Sequence, residues 1–264
     1  MISNNDAIKP ARIWYQSFVD PNEQRPYMAR LQEQLTAFAA PHITYVTHGI
    51  SPPDRHLSSL TEFRCAAQAI RNAVQAQQEG YDAYVIGHFQ EPGLIESRSA
   101  LDIPVIGLGE AAMLYACTLG RTFGLVTINP SFIPWHRDQI IRLGLTQRSV
   151  GIRAVDTQVA TYTQAFENVA SYHRVKDDYS RQAASLVEAG AEVIIPAGGL
   201  PMLLLAREKS FDVKGALVLN GIAAVVIMAE AALKFFRATG VAASRQGTFA
   251  KAPPEAIQEF LASR

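Results

Sequence analysis

The sequence predicts an α/β fold of two pseudo-symmetric lobes, each a parallel sheet flanked by helices, with a ligand site in the cleft between them. Two observations carry this. Short apolar runs alternate with helical-period segments nearly to the end of the 264-residue chain, and strand–helix–strand–helix order implies parallel sheets with right-handed crossovers. The chain also resembles itself. AYVIGH, a helix and IPVIGLGEAA are echoed about 110 residues later by EVIIPAGG, a helix and ALVLNGIAA. That match aligns Gly109, Ala111 and Ala112 with Gly221, Ala223 and Ala224. Chance recurrence of strand–glycine–helix grammar is the alternative; a duplication gives two related lobes with a cleft between them.

The elements follow in order. Apolar runs place strands at residues 12–18, 43–47, 83–86, 105–108 and 122–128, the last closed by the turn signal Asn129-Pro130. Helical spacing places helices between them at residues 28–39, 60–78, 94–100 and 110–119. The second half repeats the alternation, with strands at 150–155, 193–195 and 216–219 and long helices at 164–189 and 222–237. The first lobe is expected over residues 11–115, completed by 216–240, and the second over 116–215. Residues 241–264, with Pro253-Pro254, form a tail ending in a short helix.

Hydrophobic residues make up 48% and charged residues 18% of the chain, an ordinary globular balance. The 24 basic and 24 acidic residues cancel, which removes the electrostatic footprint of a nucleic-acid or anionic-membrane binder. A small-molecule partner is expected. Residues 1–10 carry Asn4, Asn5 and Asp6 and no apolar core, unlike a secretory signal. The most apolar stretch, 216–236, is interrupted by Asn220, Glu230 and Lys234; these are costly in lipid, so it reads as a buried helix. Cys65 and Cys117 both fall in helical patterns and read as unpaired thiols of a cytoplasmic protein.

In parallel sheets ligands bind beyond the carboxyl ends of the strands. Four such ends concentrate polar or glycine residues: Gln16-Ser17, Gly87 to Gly93, Thr127 to Pro130, and Pro196 to Gly199. Glycines there let backbone N–H groups approach an anion closely. His88 ends an apolar strand, where an imidazole can exchange protons at neutral pH; a structural histidine satisfying a carbonyl is the alternative. Glu91 either orients His88 or caps the following helix. His136, in IPWHRD, is a further acid/base candidate, though this run also suits an interface or lid. No cysteine pair, HExxH or carboxylate–histidine cluster points to a metal. GLGEAA at Gly107 to Ala112 approximates a dinucleotide fingerprint, but the next strand ends in Thr127-Ile128-Asn129 without the acid that holds a ribose. No P-loop or GxSxG elbow occurs.

These loops resemble the aspartate/glutamate/hydantoin racemase superfamily, particularly its hydantoin and allantoin racemase branch. VIGHFQEPGLIESRSALDIPVIGLGEAA is similar to the family's strand–cysteine loop–DPGL–helix–IPVVGIGEAA block. EVIIPAGGLPM lies where the family has a Gly-Cys-Ala-Gly-Met-like loop, and LVLNGIAAVVIMAEAAL is similar to its closing helix. The resemblance implies two lobes around an active site that needs no cofactor, in a homo-oligomer. It implies one cysteine on each side of the substrate's acidic carbon. Here the first cysteine position is His88 and the second falls at Gly198 or Gly199, while Cys65 and Cys117 lie elsewhere.

A glycine cannot carry a proton, so thiol-based two-base racemisation is not expected. The resulting expectation is an isomerase- or lyase-like enzyme that forms an enolate or carbanion from a small carboxylate, ureido or cyclic amide substrate. His88 is its acid/base, with Gln16, Ser17, Phe89, Thr127, Asn129, Gly198, Gly199 and Asn220 holding the substrate. Two alternatives are a hydrolase of an amide or lactam-like bond, with Gly198-Gly199 as oxyanion hole, and a non-catalytic ligand-binding homologue.

Overall fold

The computed structural model describes residues 9–263, so the polar start at residues 1–8 lies outside the described residues. Two sheets form. The first contains β1 (Ala11–Gln16), β2 (Ile43–His48), β3 (Ala83–Ile86) and β4 (Val105–Gly107), in the order β2-β1-β3-β4. All its pairings are parallel. The second contains β5 (Phe123–Thr127), β6 (Ser149–Ala154), β7 (Val193–Ala197), β8 (Asp212–Val213) and β9 (Ala216–Val218), in the order β6-β5-β7-β9-β8. Only β8 runs antiparallel, against β9. The central strands β3, β5 and β7 are buried along their whole length, as expected where helices cover both faces.

Ten helices among the described residues clothe the sheets. The first four are α1 (Arg25–Phe38), α2 (Ser59–Gln78), α3 (Leu94–Ala100) and α4 (Leu108–Leu119). Next come α5 (Ile133–Arg142), α6 (Val159–Gln164) and α7 (Val169–Glu188). The last are α8 (Gly199–Leu205), α9 (Gly221–Thr239) and α10 (Pro254–Ala262). The helix predicted at 164–189 starts later, at Val169, and is separated from the short α6 by residues 165–168. It begins where Asn168 takes a non-helical backbone and its side chain accepts the Ser171 N–H, the usual N-cap arrangement. Helix α5 occupies the aromatic and charged run around His136.

The sheet orders make the internal recurrence spatial. In each sheet the first strand lies between the second and the third, and the unit β3-α3-β4-α4 corresponds to β7-α8-β9-α9. One expectation is corrected here. β9 does not return to the first lobe; it hydrogen-bonds beside β7, pairing Val193 with Leu217 and Ile194 with Val218. The short α8 returns the chain to the edge of β7, where no other strand competes for pairing. Only α9 crosses over. Its Val226 carbonyl accepts the Tyr45 hydroxyl at 3.2 Å, and its Glu230 accepts the Ala40 N–H at 3.0 Å. In return α4, which follows β4, packs on β5 and β7 of the second sheet. Each lobe thus lends its last helix to the other.

This exchange explains the aligned glycines. A Cβ on Gly109 would lie 2.3 Å from the Phe89 carbonyl oxygen, and one on Gly221 would lie 2.3 Å from the Met202 sulfur. Helix α4 starts hard against the loop after β3, and α9 against the helix that follows β7. The tail, with α10, runs back over the first lobe. Ser99 Oγ donates to the Ala250 carbonyl at 2.6 Å, and Arg71 donates to the Ser263 carbonyl at 2.7 Å.

Candidate active site

The strand ends deliver four loops to one place. Ser17 after β1, Gly87 and His88 after β3, Ile128 after β5, and Gly198 and Gly199 after β7 all border an interlobe cavity of about 230 Å³. Phe18, Leu57 and Phe132 make its walls apolar. Gly87 is needed for the close passage: a Cβ there would lie 2.1 Å from the Tyr15 ring.

His88 is the one imidazole bordering the cavity. Its Nε2 lies 2.9 Å from Glu62 Oε1, and its ring stacks on Phe18 with centroids 4.6 Å apart. Glu62 is buried in the first turn of α2, which a Ser58–Thr61 capping box begins. A helix N-terminus favours a carboxylate there. When the carboxylate accepts the Nε2 hydrogen, the lone pair of the neutral ring is left on Nδ1. Neither alternative for Glu91 describes this pair. A carboxylate from 26 residues earlier orients the imidazole, in a helical turn that reads only as a helix start.

Glu91 has another occupation, and this corrects its expected role. It takes a left-handed backbone, φ 59°, and turns its carboxyl into the lobe interface. There it accepts the Glu110 N–H at 2.5 Å, so it caps α4 rather than α3, and it meets Gln139 and Arg142 of the second lobe at 3.3 Å. Burial pushes its pKa up to about 7, beyond what the backbone donor and Arg142 restore.

His136 is also corrected. It is fully buried, with Nδ1 3.0 Å from Gln139 Oε1 and Nε2 3.1 Å from Thr127 Oγ1. Loss of solvent lowers its pKa to about 4, so it is neutral at physiological pH and its ring nitrogens are already engaged. Thr127 is spent on the same contact. Phe89 is buried with its ring edge-on to His136, centroids 5.0 Å apart.

Three more expected substrate contacts are committed to the scaffold. The Gln16 side chain is fully buried; its amide donates to the Ser17 and Gly49 carbonyls at 2.8 and 3.0 Å, and its oxygen accepts from Asn72 at 2.8 Å. Asn129 accepts the Ser131 N–H at 2.9 Å, and Asn220 caps α9 through the Ala223 N–H at 3.0 Å. Ser17, His88, Gly198 and Gly199 remain at the cavity. The Ser17 hydroxyl is buried without a hydrogen-bond partner among the described residues.

The cavity lining also includes Asp20, Glu23 and Asp54. The Ser51 hydroxyl and the Asn22 N–H hold the Asp20 carboxyl below its usual range. The basic residue there, Arg55, is ion-paired with Glu23. No group of three or more metal-ligating side chains is found among the described residues. Neither Cys65, buried in α2, nor Cys117, in α4, borders the cavity. No helix among the described residues is long and apolar enough to cross a membrane.

Two lobes and a shared cleft bordered by strand-end loops define an α/β fold of the racemase type. The Asp/Glu/Hydantoin racemase family matches residues 18–229, and the chain belongs to that family. Within it the chain is hydantoin/allantoin racemase-like. It is 30% identical over 177 residues to a hydantoin racemase of Rhizobium meliloti, covering 67% of this chain and 68% of that protein. Its fold is similar to that of an allantoin racemase from Klebsiella pneumoniae, with a TM-score of 0.76 and 23% identity over 92% of this chain and 94% of the other. An allantoin racemase from Pseudomonas fluorescens gives 0.74 and 24%, over 92% and 97%.

Proposed function

We propose that the chain is a cofactor-independent isomerase. It removes and returns a proton at the acidic carbon of a small, uncharged cyclic amide bearing an apolar substituent. The observation that carries this reading is the His88–Glu62 pair at the interlobe cavity. Nδ1 takes the proton from the carbon beside a carbonyl, and the C–H electron pair flows into that carbonyl to give an enolate. Glu62 steadies the imidazolium that results. The Gly199 N–H and the Ser17 hydroxyl supply donors toward the enolate oxygen, while the Gly198 N–H is taken by the Pro196 carbonyl at 3.1 Å. Water protonates the opposite face of the planar enolate, and the hydroxide so formed is neutralised by the proton that Nδ1 releases to solvent; the centre is inverted and the histidine restored.

A thiol route has no thiol at the cavity, and burial pushes the Cys65 pKa up to about 11. The charge of the lining favours a neutral ring over a carboxylate: Arg55 is paired with Glu23, which leaves the carboxylates of Asp20 and Asp54 without a cation beside them in that lining. That choice also favours isomerisation over decarboxylation, which needs an anionic substrate. The apolar walls suit an aliphatic or aromatic substituent.

The test follows a benzyl-substituted hydantoin in deuterium oxide by proton NMR and polarimetry. Deuterium should enter the acidic carbon as optical rotation decays, and His88→Ala should slow this by about 10²–10⁴-fold. Full turnover by His88→Ala would sink the reading. Heavy oxygen from labelled water appearing in a ring-opened product would establish the hydrolase instead.

A further inference from the structure

We propose that the Tyr27 phenol is the principal acid toward the substrate's carbonyl oxygen, donating its hydrogen bond from the space that a side chain at position 199 would fill. This rests on the isomerase reading of the cavity. Tyr27 is absent from every motif discussed above, and geometry alone brings it forward. It is the third residue of α1, is 2% exposed, and borders the cavity. Its ring is held edge-on against Phe166 of the second lobe, centroids 5.5 Å apart.

A Cβ built on Gly199 would lie 3.0 Å from Tyr27 Oη and 3.4 Å from the Gly87 carbonyl oxygen. The phenol oxygen therefore sits against one of the two candidate positions for the missing second side chain. A side chain at position 199 and the Tyr27 phenol would compete for the same space. Ser17, whose buried hydroxyl neighbours the phenol, borders the same cavity.

The chemistry of a phenol decides its role. Burial pushes Tyr27 up to about 12, with the neighbouring Ser17 hydroxyl pulling the other way. At pH 7 roughly one such phenol in 10⁵ is ionised. That population is too small for a base working opposite His88, so Tyr27 does not recreate a symmetric two-base site. A neutral phenol does suit the other task, which is to meet a carbonyl oxygen as it gains charge. His88 removes the carbon proton, the C–H pair forms the new C–C π bond, and the carbonyl π pair moves to oxygen. Tyr27 shares its O–H proton with that oxygen and keeps it when the carbonyl reforms. No other reactant is consumed.

The experiment compares wild type, Tyr27→Phe, Gly199→Ala and His88→Ala in deuterium exchange at the acidic carbon of the benzyl-substituted hydantoin. Tyr27→Phe should lower kcat for exchange by about 10²–10³-fold, with KM changed by less than about threefold. Gly199→Ala should lower kcat as well, because its methyl group displaces a phenol oxygen fixed by the ring's packing. Wild-type exchange by Tyr27→Phe, alongside loss in His88→Ala, overturns the role of Tyr27 and leaves the isomerase reading standing. Absence of exchange in wild type removes both. If Tyr27→Phe fails to fold, carbon-13 NMR of the labelled wild-type tyrosines serves instead. The Tyr27 ζ-carbon should shift on adding the hydantoin, and an unmoved resonance refutes the contact.

Discussion

Glu91 holds a proton in the folded protein that the unfolded chain gives up. Its folded pKa of about 7 stands above the reference value of 4.5. The stability it contributes is complete below the unfolded value and falls as pH rises through about 7. Relative to Glu91→Gln, wild type should lose about 3 kcal/mol between pH 5 and pH 8 in urea unfolding. An equal slope in both proteins would place the titrating group elsewhere. The same residue shows where sequence reading stops. His88, Ser17, Gly198 and Gly199 were legible because strand ends in parallel sheets expose their loops. Glu62 and Tyr27 were not, since each lies in the first turn of a helix, where an acid or an aromatic ring has an ordinary structural explanation. The misread polar residues, Gln16, Thr127 and Asn220, do sit at strand ends. Their side chains fold back to satisfy neighbouring backbone or ring atoms, a direction that spacing along the chain does not encode.

At the level of elements, the strand–helix alternation was legible almost throughout, because buried parallel strands and amphipathic helices have different apolar periods. The destination of β9 was not. A three-residue strand carries no mark of the sheet it joins; the partner is set by where α8 leaves the chain. The exchanged helices give the recurrence a testable asymmetry. At Gly109 an added methyl meets the backbone oxygen of Phe89, whereas at Gly221 it meets the flexible thioether of Met202. Gly109→Ala should cost about 2–3 kcal/mol and Gly221→Ala about 1 kcal/mol. Denaturant midpoints with the m-value unchanged would report this order, and the reverse order would count against the close approach of α4 to the loop after His88.

Across the whole molecule, one apolar core spans both sheets, joining Ile13 and Tyr15 of the first to Leu125 and Ile195 of the second. With α4 and α9 also exchanged, the lobes should unfold together. Calorimetry should give one transition whose calorimetric and van't Hoff enthalpies agree; two resolved transitions would mean that the lobes are independent. The acids lining the cavity, Asp20 and Asp54 beside the Glu23–Arg55 pair, have a kinetic consequence. The proposed substrate, a neutral ring, would gain nothing from long-range attraction, and its arrival would be diffusive and indifferent to salt. An acid formed by accidental opening of that ring would be repelled by the same carboxylates. On the proposed function the cleft would therefore clear a ring-opened by-product and escape inhibition by it.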